Sequence, residues 1–280
     1  MDELLTVEGL TKRYETFALD DVSFTLPAGY IMGFIGRNGA GKTTTIKSML
    51  NLVHRDAGRV TILGRDLDTH ELRIKQDIGL TLGGVTYYPT TRLARITSVF
   101  HRFYETWDDK AYRAYLSRFE LDETKKVGQL SAGMKVKYAL ALALSHHARL
   151  LILDEPTSGL DPISRDDLLD LFREIIEEGE RSILFSTQIT SDLDKCADYI
   201  TYIREGRLVA SAPADEFIGS YRLVSGRKDQ LTPAVADALI GSDASAIVGD
   251  CEISRPDIEQ IMIYCERAGR APAGGKEVSK

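Results

Sequence analysis

Residues 36–43 read Gly-Arg-Asn-Gly-Ala-Gly-Lys-Thr, a complete G-x-x-x-x-G-K-[ST] string. Glycines at these positions leave backbone N–H groups free to turn toward phosphate oxygens, which a Cβ would obstruct. Lys42 would place its charge on the β- and γ-phosphates, and the Thr43 hydroxyl would be a ligand of Mg²⁺. The string therefore predicts a site for a nucleoside triphosphate, with these candidate contacts: Gly36, Arg37, Asn38, Gly39, Ala40, Gly41, Lys42, Thr43 and Thr44.

The segments on either side of this loop support the same interpretation. Residues 30–35 are an apolar run that predicts a strand, and residues 44–51 have helical character. The positive end of such a helix would point at the phosphates. A Gly-rich turn that matches the string by chance is the alternative, and it does not explain both flanks.

A second candidate site lies at residues 150–155, where the run Leu-Leu-Ile-Leu ends in Asp154 and Glu155. A buried parallel strand has this composition, and ligands of parallel sheets lie beyond the carboxyl ends of the strands. Asp154 suits the magnesium shell through a water molecule, and Glu155 is placed to polarise the attacking water. An acidic pair that only caps the next helix is the alternative, which the phosphate loop disfavours.

Four strings in this order resemble those of the ATPase subunit of ABC transporters: residues 36–43, 130–134 (Leu-Ser-Ala-Gly-Met), 151–155 and 158–161 (Ser-Gly-Leu-Asp). The resemblance covers about residues 4–212, and it is closest to single-domain ATPases that serve bacterial exporters of lipids, antibiotics and antimicrobial peptides. It implies an α/β P-loop NTPase with a RecA-like parallel sheet, a small antiparallel β-subdomain and a helical subdomain at about 84–147. We expect the ATPase domain at 1–212, a small C-terminal α/β appendix at 213–270 and a disordered tail at 271–280.

The resemblance also implies roles for residues outside the phosphate loop. Tyr14 would stack on adenine, although a half-buried loop tyrosine is the alternative. The segment Ser131, Ala132 and Gly133 would complete the ATP site of a second subunit, with Ala132 and Met134 as departures from the family signature. Asp161 would lie at the dimer seam, and it also suits the N-cap of a helix that begins at Pro162.

Two departures bear on the rate of hydrolysis. Gly83 and Gly84 stand where the family carries a glutamine, and Gln188 stands where it carries a histidine that contacts the γ-phosphate. A charge-assisted hydrogen bond contributes about 1.5–3 kcal/mol against roughly 1 kcal/mol for a neutral one. We therefore expect Gln188 to slow turnover roughly tenfold rather than abolish it.

The resemblance implies a subunit that binds MgATP, closes on a second ATPase subunit and thereby powers a membrane exporter. Its partners would be integral-membrane permease subunits and a second ATPase subunit, either the same chain or a different one. It would be a peripheral protein at the cytoplasmic face of the cell membrane. A degenerate subunit with little turnover and a non-transport ABC ATPase remain possible on the sequence alone.

Composition narrows the class. The 280 residues are 43% hydrophobic and 28% charged, with a net charge of −7, which argues against a nucleic-acid partner. Three cysteines suit a reducing compartment. The sequence shows neither a signal peptide nor an apolar run of the roughly 20 residues that a spanning helix needs. His146 and His147 read as ordinary surface or helix-end residues.

Periodicity predicts the remaining elements. Strands are expected at 4–10 and 22–26, and helices at 93–104, 109–119 and 131–147. In the appendix we expect strands at 220–225 and 246–248 and helices at 232–240 and 257–267.

Overall fold

A computed structural model describes residues 3–82, 88–177, 179, 181–225 and 252–268. The chain divides into two compact units, residues 1–212 and residues 213–280. The strands of the first unit are β1 (Glu3–Arg13), β2 (Ala18–Pro27), β3 (Ile31–Ile35), β4 (Ala57–Ile62), β5 (Arg65–Asp66), β6 (Ile78–Thr81), β7 (Leu150–Asp154), β8 (Ser182–Thr187), β9 (Tyr199–Arg204) and β10 (Arg207–Pro213). Its helices are α1 (Lys42–Ser48), α2 (Leu67–Gln76), α3 (Leu93–Phe103), α4 (Asp109–Arg118), α5 (Ala132–Ser145), α6 (Pro162–Glu177) and α7 (Thr190–Cys196).

The central sheet has six strands in the order β10-β9-β3-β8-β7-β6, and β9 through β6 pair in parallel. Every residue of β3, β7 and β8 is buried. Strands of a parallel sheet that is covered on both faces favour apolar side chains at most positions, which explains the apolar runs that the sequence shows at 31–35 and 150–153. The predicted P-loop NTPase core is confirmed.

A second sheet is antiparallel, with the strand order β2-β1-β4-β5. Val7 lies opposite Phe24 on one side and Val60 on the other, so one face of this sheet is apolar. That face belongs to the same hydrophobic core as Met32 and Phe34 of β3. The two strands predicted at the N-terminus are confirmed and extend beyond the predicted bounds.

Three helices, α3, α4 and α5, form where the periodicity predicts them, each within three residues of the expected ends. Their buried hydroxyls meet. The hydroxyl of Thr97 lies 2.6 Å from that of Tyr112 and 2.9 Å from that of Tyr138, which also donates to the carbonyl of Leu93 at 3.0 Å. These bonds join one residue from each helix, so the orientation of α5 is fixed relative to α3 and α4.

The second unit contains α8 (Ala214–Gly219), β11 (Leu223–Ser225), β12 (Glu252–Ser254) and α9 (Ile258–Ala268), with β11 and β12 paired antiparallel. The strand predicted at 220–225 is shorter because Ser220 caps α8. The helix predicted at 257–267 is confirmed, and Asp257 and Gln260 cap its start by exchanging hydrogen bonds with each other's backbone N–H. The segments predicted at 232–240, 246–248 and 271–280 lie outside the described residues.

Of the two positions expected for His146, the helix end is confirmed and the surface is wrong. It follows α5 directly and is 1% exposed, with its ring stacked on Tyr104 at 3.6 Å between centroids. Its Nδ1 lies 3.2 Å from the carbonyl of Gln76, so this nitrogen carries the proton. Burial lowers the pKa of His146 to about 4. Its neighbour His147 is about half exposed.

This buried histidine predicts a stability loss in mild acid. The unfolded chain takes up a proton near the ordinary pKa of about 6.5, whereas the folded chain resists it down to about 4. Stability is therefore full above pH 6.5 and falls between pH 6.5 and 4, by about 2 kcal/mol between pH 7 and pH 5. Urea unfolding at the two pH values measures the difference. In the variant His146→Phe the difference should shrink by that amount, and in the control His147→Gln it should persist. Equal pH dependence in wild type and His146→Phe would contradict the assignment.

Candidate functional site

The loop between β3 and α1 has the glycine-dependent geometry that its sequence predicts. Gly39 has φ 81° and Gly41 has φ 114°, which is left-handed backbone that other residues rarely adopt. A Cβ on Gly39 would meet no atom within 4 Å, so this part of the loop is open. A Cβ on Gly36 would lie 2.4 Å from the carbonyl oxygen of Ile203, so Gly36 is required for packing.

The remaining residues of the loop differ in exposure. Arg37, Asn38 and Thr43 are exposed, Thr44 is half-buried and Ala40 is buried. The loop therefore presents residues 37–39 outward and anchors its second half in the core.

Lys42 is 4% exposed, and its ammonium is held inside the loop. Its Nζ donates to the carbonyls of Gly36 at 2.7 Å and Arg37 at 3.3 Å, and it lies 3.5 Å from Oε1 of Glu155. Burial lowers the pKa of Lys42, while the Glu155 carboxylate opposes that shift. The Lys42 ammonium is thus positioned by the loop and paired with Glu155, which directly follows β7.

Asp154, the last residue of β7, is 2% exposed, and both its carboxylate oxygens accept hydrogen bonds. The Thr43 hydroxyl donates to Oδ2 at 2.9 Å, and the Ser186 hydroxyl donates to Oδ1 at 2.6 Å. The two residues predicted from separate motifs, Thr43 and Asp154, are therefore in direct contact.

Ser186 is a residue that the sequence motifs did not indicate. Its hydroxyl donates to Asp154 and also accepts a hydrogen bond from the backbone N–H of Glu155 at 3.0 Å. Glu155 has φ 50°, an uncommon conformation for a side chain other than glycine. Ser186 pairs with Asp154 across β7 and β8, so its position near the end of a strand beside β7 was the available signal.

Gln188 is exposed in the turn between β8 and α7, one residue beyond the strand that carries Ser186. Gly83 and Gly84 lie outside the described residues. The structure therefore brings Lys42, Thr43, Asp154 and Glu155 together, and it places Gln188 at the same edge of the sheet.

The signature residues lie at the start of α5. Ser131 is its N-cap, and its hydroxyl accepts from the N–H of Met134 at 3.2 Å. Ser131 and Ala132 are exposed, and a Cβ on Gly133 would lie 3.7 Å from Leu160 and 3.8 Å from Ser164. The segment thus lies beside the loop that follows Glu155.

Asp161 caps α6. Its Oδ1 accepts from the N–H groups of Ile163 at 3.1 Å and Ser164 at 3.0 Å, and hydrogen bonds from Ser164 hold the pKa of Asp161 below its usual value. The capping role that the sequence suggested for this residue is present in the structure.

Tyr14 is 47% exposed, and its ring lies 6.5 Å from that of Phe17. Lys12 lies 5.6 Å from the centroid of the Tyr14 ring. Phe17, which no sequence motif singled out, abuts the phosphate loop, because a Cβ on Gly41 would lie 3.0 Å from its Cζ. Phe17 therefore packs beside the phosphate loop, and Tyr14 lies in the same turn.

Comparison with known proteins identifies the family of the chain. The sequence model described as ABC transporter matches residues 19–158. The chain is 34% identical over 218 residues to the bacitracin transport ATP-binding protein of Bacillus licheniformis, covering 77% of this chain and 71% of that protein. It is also 34% identical over 221 residues to a daunorubicin resistance ATP-binding protein of Streptomyces coeruleorubidus, covering 77% and 70%.

Solved structures show the same fold. A structure of the ATP-binding subunit of an ABC transporter is 28% identical with a TM-score of 0.68, covering 76% of this chain and 91% of that one. An ATP-binding cassette solved as a dimer in a post-hydrolysis state with ADP and phosphate has a TM-score of 0.66 at 21% identity, covering 75% and 98%.

The phosphate loop, the acidic strand end and these likenesses define a P-loop ATPase. The chain belongs to the ABC transporter family and is an ATP-binding subunit of that family. Among the described residues, no helix has both the length and the apolar content that crossing a bilayer requires.

Proposed function

We propose that this chain binds and hydrolyses MgATP and uses the resulting closure of an ATPase pair to power an export permease. The observation that carries the proposal is the convergence of Lys42, Thr43, Asp154 and Glu155 at one edge of the sheet. These groups come from two loops 111 residues apart in sequence. A cation, a hydroxyl and two carboxylates at a glycine-lined loop are the parts that phosphoryl transfer to water requires.

The residues fit a magnesium ion. No cluster of three His, Cys, Asp or Glu side chains suited to a metal occurs among the described residues. Mg²⁺ is usually bound through one or two carboxylates together with substrate phosphates and water, so Thr43 and Asp154 suffice as protein ligands. When bound, the ion would neutralise charge on the β- and γ-phosphates. Ser186 would keep the Asp154 carboxylate turned toward Thr43.

Glu155 is the group we assign to orient and polarise the attacking water. Its backbone N–H is anchored on Ser186, and its side chain remains 29% exposed, so a water molecule has access to it. Oε1 of its carboxylate lies 3.5 Å from Nζ of Lys42. Because phosphates would compete for the Lys42 ammonium, nucleotide binding would free the carboxylate for water.

Gln188 favours a reduced rate of ATP hydrolysis. Its amide donates a hydrogen bond but carries no charge, so it stabilises a developing phosphate charge less than a cationic side chain does. The second candidate function is therefore a subunit that binds ATP with little turnover of its own, and the exposed Gln188 at the edge of the sheet is the observation that favours it.

Pairing with a second ATPase subunit follows from the exposed signature. Ser131 and Ala132 face solvent at the N-terminus of α5, a helix of 14 residues, where N–H groups can bind anionic phosphate. We propose that Ser131, Ala132 and Gly133 complete the ATP site of the partner subunit, with Asp161 at the seam. Ile163, beside Asp161, is 75% exposed and would be covered by such a pair. The partner would be a second copy or a different ATPase.

Export is proposed from the relatives, whose names describe bacitracin transport, daunorubicin resistance and Nod factor export. A groove of about 650 Å³ between α2 and α3 supports a permease partner. Its apolar residues Leu72, Val99 and Phe103 are 84%, 47% and 70% exposed, and Arg73, Lys75 and Glu105 line its rim. We propose that a cytoplasmic segment of an integral-membrane permease occupies this groove, which would hold the chain peripherally at the cytoplasmic face.

Hydrolysis by the purified chain tests the function. ATP turnover should rise more than linearly with protein concentration, since two chains form each complete site, and it should vanish in Glu155→Gln. The matched control is Glu120→Gln, because Glu120 also has a left-handed backbone, with φ 53°, but follows α4. Activity that survives in Glu155→Gln would contradict the role of Glu155. Bound ATP without turnover, alone or with permease subunits, would favour the second candidate.

The assignment of Asp154 predicts a specific effect of Ser186→Ala. Loss of the hydroxyl that orients Asp154 should raise the Mg²⁺ concentration needed for half-maximal ATP binding by about tenfold or more. Calorimetric titration of ATP at several Mg²⁺ concentrations measures this. Ser182→Ala is the control, because Ser182 is equally buried on β8 but bonds the backbone of Gly29 and Pro27. Equal Mg²⁺ dependence in both variants would refute the role of Ser186.

The groove assignment predicts that Phe103→Glu weakens association with the permease while ATP binding stays at the wild-type level. A charge in place of an apolar contact side chain disrupts docking because the charge would be desolvated. Co-purification from detergent with the permease subunits measures association. Leu52→Glu, which changes a 45% exposed apolar residue outside the groove, should leave it unchanged. Normal association of Phe103→Glu would place the permease elsewhere.

A further inference from the structure

Asp192, on α7, is a fully buried carboxylate that the function described above does not use. An ionised carboxylate removed from water is unfavourable unless hydrogen bonds and a nearby cation compensate it. The contacts of Asp192 therefore indicate what keeps it there.

One oxygen of Asp192 accepts hydrogen bonds from two different loops. The Thr157 hydroxyl donates to Oδ2 at 2.6 Å, and the Thr187 hydroxyl donates to the same atom at 3.2 Å. All three side chains are at most 2% exposed. Thr157 belongs to the loop after β7, and Thr187 is the last residue of β8. A single carboxylate thus joins the ends of two neighbouring strands.

Each threonine lies within two residues of a residue of the proposed reaction. Thr157 lies two residues after Glu155, within a turn in which the N–H of Ser158 donates to the Glu155 carbonyl at 3.2 Å. Thr187 directly precedes Gln188, and its hydroxyl also accepts from the N–H of Ile189 at 2.9 Å, which closes the turn around Gln188. The position of either loop is therefore linked to that of the other through Asp192.

The second oxygen of Asp192 has a cation nearby. Arg165 Nε of α6 lies 3.9 Å from Oδ1, and neither atom has a hydrogen-bond partner among the described residues. The separation is too long for a hydrogen bond but close enough for the guanidinium to offset the buried charge. Arg165 and Asp192 therefore act as a charge pair behind the two loops.

We propose that Asp192 is a positioning residue that holds the loops carrying Glu155 and Gln188 in one mutual arrangement. The proposal rests on the hydrolytic role given to Glu155 above. Asp192 does not touch the reacting atoms. It acts through Thr157 and Thr187, so its loss should change kcat more than the KM for ATP, because the phosphate loop and Thr43 are held by other contacts.

The matched substitutions are those of the two threonines. Thr157→Val keeps the shape of the side chain but removes the donor, whereas Thr157→Ser keeps the donor and removes only a methyl group. The same pair is made at Thr187. We expect each valine variant to lower kcat about tenfold with KM within about twofold, and each serine variant to retain most of the rate. Asp192→Asn should lower kcat at least as much. In the double variant Asp192→Asn with Thr157→Val, kcat should be little lower than in Asp192→Asn alone, because both changes remove the same hydrogen bond.

Hydrogen exchange on the full chain provides a readout that does not require turnover. Asp192→Asn should speed amide exchange both in residues 157–160 and in residues 187–189, because one carboxylate restrains both. Serine variants as slow as the valine variants, or faster exchange confined to α7, would overturn the proposal. If the wild-type chain does not hydrolyse ATP in any assembly, the proposed function fails. Faster exchange in both loops of Asp192→Asn would still support the positioning role of Asp192, and unchanged exchange would refute it. If Asp192→Asn does not fold, the threonine pairs decide the question through the same two readouts.

Discussion

The parallel pairing of β3, β8 and β7 is the constraint on which the rest of the site depends. It aligns Ile35 with Thr187 and Asp154 with Ser186, so three strands end at one edge. Each strand is buried throughout, so the polar residues at its carboxyl end, Asp154 on β7 and Ser186 on β8, are buried and hydrogen-bonded to each other, and the residues just beyond the ends are the first that can reach solvent. The phosphate loop, the acidic pair and the turn at Gln188 therefore occupy neighbouring positions for the same physical reason.

Three buried charged side chains lie at or near this edge of the sheet. Lys42, Asp154 and Asp192 are each at most 4% exposed, and each is compensated differently. Lys42 is bonded to loop carbonyls, Asp154 is bonded to hydroxyls on both oxygens, and Asp192 shares one oxygen between two threonines. Hydroxyl donors hydrogen-bond a carboxylate without forming an ion pair with it, so these contacts leave Asp154 suited to the divalent cation proposed above. A lysine or arginine bonded directly to Asp154 would compete with the proposed magnesium ion.

The sequence was informative wherever a local pattern determines structure. Left-handed glycines, apolar runs and helical periodicity predicted the phosphate loop, the buried strands and α3 to α5, because each depends on neighbouring residues only. It was uninformative for Ser186, Phe17 and Asp192, whose importance comes from contacts 31, 24 and 35 residues away in sequence. It placed His146 correctly at a helix end but did not reveal its burial, since the three- and four-residue spacing ends at the helix terminus and does not record that Tyr104 covers the ring.

The site within one chain is chemically one-sided. Lys42, Thr43, Asp154 and Glu155 surround the phosphate loop, whereas Ser131 and Ala132 are exposed beside the loop that follows Glu155. An anion bound at the open Gly39 face would therefore be contacted by its own chain on one side only, and in the proposed pair a partner would supply the other side. In such an arrangement the free energy of ATP binding is expressed as association of two subunits, so nucleotide state and pairing are reciprocally linked. In the proposed pair, loops at the boundary, including those joined by Asp192, would have to hold their positions before the partner arrives, because any ordering deferred to that moment would weaken association.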